Sequence, residues 1–298
     1  MDYTEVSIQV APWHAETVAW HLQGLAGQGA VVSEVPAKGD PPETLEVKLY
    51  RHGAPEQTGE WVASVEASLD ELRNSFQDAA WSTRVRLVPS EDWENSWKRH
   101  WHALEIGERL VVKPTWEAWS GDSSRLVIDL DPAQAFGTGT HPTTQLCLRA
   151  LERVLPQYGT PRVFDVGTGS GILAIAALLL GAEHVWACDI DPVAVESTRE
   201  NAERNRVEKS LSVATGDVTV FSGQAPILLA NILAEVIAPI APDLGALLSP
   251  GGTLIASGII RAREALVSQA LQNAGLEVTA VEYQGEWVMI EARKPAAV

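Results

Sequence analysis

The stretch VFDVGTGSGILAIAALLLGAEHVWACDIDP, residues 163–192, sets Gly167, Gly169 and Gly171 between two acids, Asp165 and Asp189. A short apolar run, Val163 to Val166, enters the glycines and an apolar helical run leaves them, the rhythm of a nucleotide-binding βαβ unit. Two phosphate-binding loops share that rhythm, and the residues count against both. A dinucleotide fingerprint is G-x-G-x-x-G, its third glycine letting helix and strand close up. Here Ile172 stands at that place, and the third glycine comes one residue early, at Gly171. A P-loop needs a lysine followed by serine or threonine, and this loop has no lysine.

Asp165 sharpens the contrast. A carboxylate ahead of the loop repels phosphate and attracts a cation. S-adenosyl-L-methionine, which joins a ribose, an ammonium-bearing amino-acid end and a sulfonium with a reactive methyl, is the cofactor that suits such a charge. Asp189 ends the next strand candidate, where an acid accepts from ribose hydroxyls. The competing role for both acids is that of turn residues at strand ends.

Asn231 follows the apolar run ILLA at the carboxyl end of another strand candidate, where open α/β sheets place their ligands. Its side-chain carbonyl can accept from an amine N–H and aim the amine's lone pair at a methyl. A helix N-cap before Ile232 is the competing role. Upstream, AFGTGTH at 135–141 reads as a loop feeding a helix: Pro142 suits a first turn, and Cys147, Ala150, Leu151, Val154 and Leu155 recur at helical spacing. Capping by Thr140 is open to this loop. His141 is the one candidate base, although a lone loop histidine is more often structural.

These residues need a scaffold, and 298 residues suffice for two domains with cores of their own. Residues 1–89 read β-α-β-β-α-β, a small ferredoxin-like α+β domain with no catalytic constellation, and so a binding module. Its strands run through Val6, Ile8 and Val10, through 30–35, through Leu45, Val47 and Leu49, and through Val85 and Leu87. Its helices run through Val18, Leu22 and Leu25 and through Val62, Val65, Leu69, Leu72 and Phe76. Residues 90–120 form a connector that begins as a helix, with Trp93, Trp97 and Trp101 on one face, a packing stripe rather than a cage for a methylated ammonium. Residues 121–298 alternate strands and helices, which predicts a doubly wound, mostly parallel sheet with strands at 126–130, 163–166, 185–188, 211–214, 227–230 and 253–256. The close pair 276–281 and 287–291 suits a hairpin, giving an antiparallel final strand.

Composition narrows the partners. With 22 Lys and Arg against 39 Asp and Glu, the net charge of −17 opposes attraction to nucleic-acid phosphates and matches a basic protein better. Cys147 and Cys188 form no closely spaced metal or disulfide pattern, so no metal is expected. The opening residues lack a basic-then-apolar secretion signal, and the run Ile172 to Leu180 falls well short of the ~20 residues a bilayer needs. A cytoplasmic monomer with no membrane contact is expected.

Several blocks occur together and in order: EDWENSW, GERLVVKPTW, AFGTGTHPTTQLCL, FDVGTGSGILAIAAL, DIDPVAVESTRENAERN and ANILA. In these the chain from residue 90 onward resembles the methyltransferases that modify ribosomal protein L11. The resemblance implies a class I methyltransferase (Rossmann-like) domain behind a small substrate-recognition domain. It also implies methyl transfer from S-adenosyl-L-methionine to amino groups of that basic large-subunit protein, lysine side chains and the N-terminal amine among them. Residue by residue, it implies that Thr144, Gly167, Asp189 and Asn231 contact the cofactor, with Phe136 and Gly137 lying against it; the loop acid Asp165 and Gly169 and Gly171 belong to the same cradle. Two rivals remain. Methylation of an exocyclic amine of a nucleic-acid base is disfavoured by the charge and by Ile232 and Leu233, where such enzymes place an aromatic ring. A non-catalytic assembly factor is disfavoured by the intact site residues.

Overall fold

The computed structural model describes residues 3–11, 18–19, 21–22, 25, 30–34 (backbone only), 45–54, 56–73, 81–88, 102–130 and 139–296. The chain divides into two compact units, Met1–Trp101 and His102–Val298. In the first, β1 (Tyr3–Val10), β2 (Ala30–Glu34), β3 (Leu45–His52) and β4 (Ser82–Val88) pair antiparallel in the order β2-β3-β1-β4. Alternation puts Val6, Ile8, Val10, Val47 and Leu49 on one face, packed against Trp61, Val65 and Leu69 of α1 (Gly59–Arg73). On the other face Glu5 is buried and held by Arg86 at 2.6 Å. Val85 and Leu87 alternate as expected yet stay 38% and 47% exposed, because β4 ends the sheet, with a neighbour on one side only among the described residues. Val18 and Leu22 are fully buried, whereas most of the helix expected around them, Phe76, and the stripe Trp93, Trp97 and Trp101 lie outside the described residues.

The second unit is built on seven strands: β8 (Arg162–Val166), β9 (His184–Asp189), β10 (Leu211–Thr215), β11 (Ala225–Asn231), β12 (Leu248–Ile260), β13 (Glu277–Gln284) and β14 (Trp287–Arg293). Their order is β10-β9-β8-β11-β12-β14-β13, parallel from β10 to β12, with β14 antiparallel to both neighbours. The central strands are apolar on both faces because both are covered. Val163, Ile227, Leu229 and Ile255 pack under α2 (Pro142–Val154) and α3 (Ile172–Leu180), while Phe164, Leu228, Ala230 and Leu254 pack under α5 (Ala234–Leu247) and α6 (Glu264–Asn273). Helix α4 (Pro192–Arg204) starts from Asp191, whose carboxylate accepts the Val193 N–H, with Pro192 at the first turn. No helix among the described residues is long and apolar enough to cross a membrane.

One strand falls elsewhere than expected. Leu126–Leu130, β7, is not in the large sheet but in a three-stranded one with β5 (Leu104–Ile106) and β6 (Leu110–Pro114). The apolar run LVVKP, inside the stretch read as a connector, gives it a parallel partner in register Leu110↔Leu126.

Candidate active site at the carboxyl end of the sheet

Strand β8 ends at Val166 and the glycine loop begins at once. Gly167, Gly169 and Gly171 all take positive φ, 71°, 57° and 81°. At Gly167 the need for glycine is double, since a Cβ there would also overlap Cγ2 of Ile232. The loop spends its amides internally. Gly167 and Thr168 donate to the Cys188 carbonyl at 2.9 and 3.0 Å, Gly171 to the Thr168 carbonyl at 2.9 Å, and Gly169 to Asp189 Oδ2 at 2.9 Å. A pyrophosphate would have to displace protein acceptors from all four, whereas a cation loses nothing by their commitment.

Two side chains that sequence reasoning missed close the loop from below. Thr198 Oγ1 donates to the Gly169 carbonyl and Asn201 Nδ2 to the Ser170 carbonyl, both at 2.9 Å, and both residues are fully buried. Their signal was present: they lie on the face of α4 that also buries Ala194, Val195 and Ala202, where a polar residue needs a partner.

The two acids have different environments. Asp165 lies beneath the loop, 1% exposed, with Oδ2 accepting the Thr168 hydroxyl at 2.8 Å and Oδ1 buried without a hydrogen-bond partner among the described residues. Burial, with the Asp189 charge adding to it, pushes its carboxyl up to about 7 against the pull of Thr168. Asp189 is half-buried at the end of β9, its oxygens fixed by the N–H groups of Gly169 and Asp191, at 2.9 and 3.0 Å. Each carboxylate oxygen retains a lone pair for a further donor. Ile190 beside it is 78% exposed.

Asn231 ends β11, and the structure removes its competing role. Helix α5 starts at Ala234 from Leu233 with no side-chain cap, so Asn231 is not the cap. Its Nδ2 donates to Oγ1 of fully buried Thr144 at 3.4 Å, and its Oδ1 is buried with no partner among the described residues. The cap of α2 is likewise not Thr140. His141 takes it, Nδ1 accepting the Thr143 N–H at 3.1 Å, and its ring meets Trp287 edge-on at 4.7 Å between centroids. The structure thus gathers Thr144, Asp165, the three glycines, Asp189 and Asn231 at one end of the sheet, while Phe136 and Gly137 lie outside the described residues.

A ribose-bearing cation fits this donor set: an acid with lone pairs to spare, a second buried acid with an orphaned oxygen, and a loop without free amides at four positions. Fold and site together define a class I S-adenosyl-L-methionine-dependent methyltransferase. The sequence matches the family described as ribosomal protein L11 methyltransferase over residues 2–295. It is similar to a ribosomal protein L11 methyltransferase of Pelotomaculum thermopropionicum, 42% identical over 99% of this chain and 100% of that one. A ribosomal protein L11 methyltransferase of Symbiobacterium thermophilum is 48% identical over 78% of this chain and 75% of its own. A solved ribosomal protein L11 methylase of Lactobacillus delbrueckii subsp. bulgaricus aligns at TM-score 0.61 and 34% identity, covering 65% of this chain and 100% of that one. The chain belongs to the ribosomal protein L11 methyltransferase family.

Proposed function

We propose that the protein transfers methyl groups from S-adenosyl-L-methionine to amino groups of ribosomal protein L11, lysine side chains above all, and that Asn231 orients the accepting amine. The observation that carries this reading is the orphaned Asn231 Oδ1. A buried carbonyl without a donor costs about 1–3 kcal/mol, a cost that is relieved when an N–H arrives. Thr144 holds the nitrogen end of the same amide, which leaves the oxygen for the accepting amine in this reading. When bound, the cofactor supplies an electrophilic methyl on a positive sulfur.

The remaining work falls to the chain's own groups. Asp189 accepts from the ribose hydroxyls with the lone pairs its backbone donors leave, and exposed Ile190 gives the base an apolar surface. Asp165, its carboxyl pushed up to about 7 by burial, supplies negative charge beneath the loop once it is ionised, and a bound cation favours that form. A lysine with a pKa of about 10.4 is neutral at pH 7 in roughly one molecule in a few thousand, a cost of about 5 kcal/mol. Burial against Ile232 and Leu233 lowers that pKa, and positioning at a single site contributes about 7–11 kcal/mol. No dedicated base is then required, in keeping with His141 Nδ1 being committed to its cap. The first unit, with strand order β2-β3-β1-β4, suits a ferredoxin-like module that holds the substrate protein.

The test is incubation of purified L11 with enzyme and S-adenosyl-L-methionine, read by intact mass and fragmentation. Mass gains in multiples of a methyl, located on amines, are expected. An enzyme that binds the cofactor by calorimetry yet adds no methyl to L11 over many turnover times contradicts the proposal.

A further inference from the structure

We infer that Ile232 and Gly258 are positioning residues for Asn231: Ile232 is wedged between the glycine loop and a bulge in β12, and Gly258 is the seat that lets it lie there. The inference rests on the proposed role of Asn231. It starts from how little else holds that residue. Asn231↔Ser257 is the last pair of the β11–β12 ladder, and beyond it the chain makes one backbone bond, from the Ile232 N–H to the Ser257 carbonyl at 3.1 Å, before α5 begins without a side-chain cap. Among the described residues the only side-chain bond of Asn231 is the long one to Thr144. Shape must therefore place the amide.

The shape is specific. The β12–β14 register shifts between Ala256 and Ile259, and in that bulge Gly258 takes φ 83°. A Cβ on Gly258 would overlap the Ile232 carbonyl oxygen and lie 2.7 Å from its carbonyl carbon and 3.0 Å from its nitrogen. These are backbone atoms, which cannot rotate away. On the other side Cγ2 of Ile232 fills the space that a Cβ on Gly167 would take. Ser257, between bulge and loop, is fully buried and anchored by its hydroxyl to the Val288 carbonyl at 2.8 Å, so the seat is fastened to β14. Ile232 thereby transmits the position of the cofactor loop to the residue beside it, Asn231.

The two contacts differ in kind, which makes them testable in the full-length protein with L11 as substrate and S-adenosylhomocysteine as the binding probe. A shift of about 1 Å in a reacting group costs on the order of 100-fold in rate. Ile232→Ala is expected to lower kcat by about 10-fold or more while S-adenosylhomocysteine affinity stays within about 3-fold, and Ile232→Val, which keeps Cγ2, to restore most of the rate. Gly258→Ala is expected to lose about 100-fold in kcat, unrelieved by adding Ile232→Ala, because the clash is with backbone. Gly167→Ala is expected to be partly relieved by Ile232→Ala, because there the clash is with a side chain. Should Gly258→Ala not accumulate as folded protein, the Ile232→Ala and Ile232→Val pair decides alone. A folded Ile232→Ala enzyme with wild-type kcat overturns the inference, as does an equal loss of kcat in both Ile232 variants. Asn231→Ala, run alongside, separates the layers: wild-type turnover in that variant removes the reading of the site itself, whereas its loss beside an unaffected Ile232→Ala removes only the positioning role.

Discussion

The two loops that leave β8 and β11 lie at the same end of the same sheet and are held in opposite ways. The glycine loop is fastened by directional bonds: four amides donate within the protein, and Thr198 and Asn201 take two of its carbonyls from below. The loop after Asn231 is held mainly by contact, with Ile232 against Gly167 and Gly258, beside one backbone bond to the Ser257 carbonyl and one long side-chain bond. A loop fastened by hydrogen bonds presents a fixed set of remaining lone pairs, which suits a small, unvarying cofactor. A loop seated by shape can leave a polar atom unsatisfied, which suits a partner that arrives from another protein and leaves again.

Substitutions in the fastened loop probe one side of this comparison. The largest effect on folding is expected at Asp165. Its unfolded carboxyl titrates near 3.9, and burial pushes the folded one up to about 7. The folded state therefore binds the extra proton between those values, so the contribution to stability is present below about pH 4 and is lost as pH rises to about 7. Asp165→Asn, compared with wild type by urea midpoints at pH 5 and pH 8, should lose that decline. The largest effect on binding is expected at Asp189: Asp189→Ala removes a charged acceptor from the Gly169 and Asp191 amides and, in its proposed role, from the ribose, and calorimetry should show cofactor affinity weaker by about 100-fold, with charge-assisted bonds at stake. Thr198→Val deletes one neutral bond to the loop and should weaken cofactor binding by about 10-fold or less, with kcat at saturation nearly unchanged. Smallest is His141→Ala, which removes the cap of α2; about 1 kcal/mol of stability should go, with the pH profile of kcat retained. A lost acid-side limb in that profile would make His141 a base after all.

The cofactor half of the site was the more legible in the sequence, and the reason is chemical. Glycines at alternate positions and an acid at a strand end have few alternative explanations, so Gly167, Gly169, Gly171, Asp165 and Asp189 announce a loop by type and spacing alone. The sheet was legible for the same reason, because a run such as ILLA is apolar on both faces. Leu126–Leu130 was misplaced because a buried strand reads alike in either sheet, and only pairing with Leu110–Pro114 distinguishes them. Thr198 and Asn201 were legible only as polar residues on a buried helix face, and the seat at Gly258 not at all, since their partners lie far away in sequence: the Gly169 and Ser170 carbonyls and the backbone of Ile232. The caps were settled by φ and ψ rather than by residue preference, which favoured Thr140 over His141 and allowed Asn231 where Leu233 stands.

The most direct test of the central claim, that the unsatisfied amide oxygen of Asn231 awaits the accepting amine, is single-turnover methyl transfer to L11 by Asn231→Ala at saturating S-adenosyl-L-methionine, with cofactor affinity measured on the same preparation. A fall of about 10²–10³ in rate is expected, with cofactor affinity reduced only a few-fold. Wild-type single-turnover rates in that variant, or a loss confined to cofactor binding, would contradict the account.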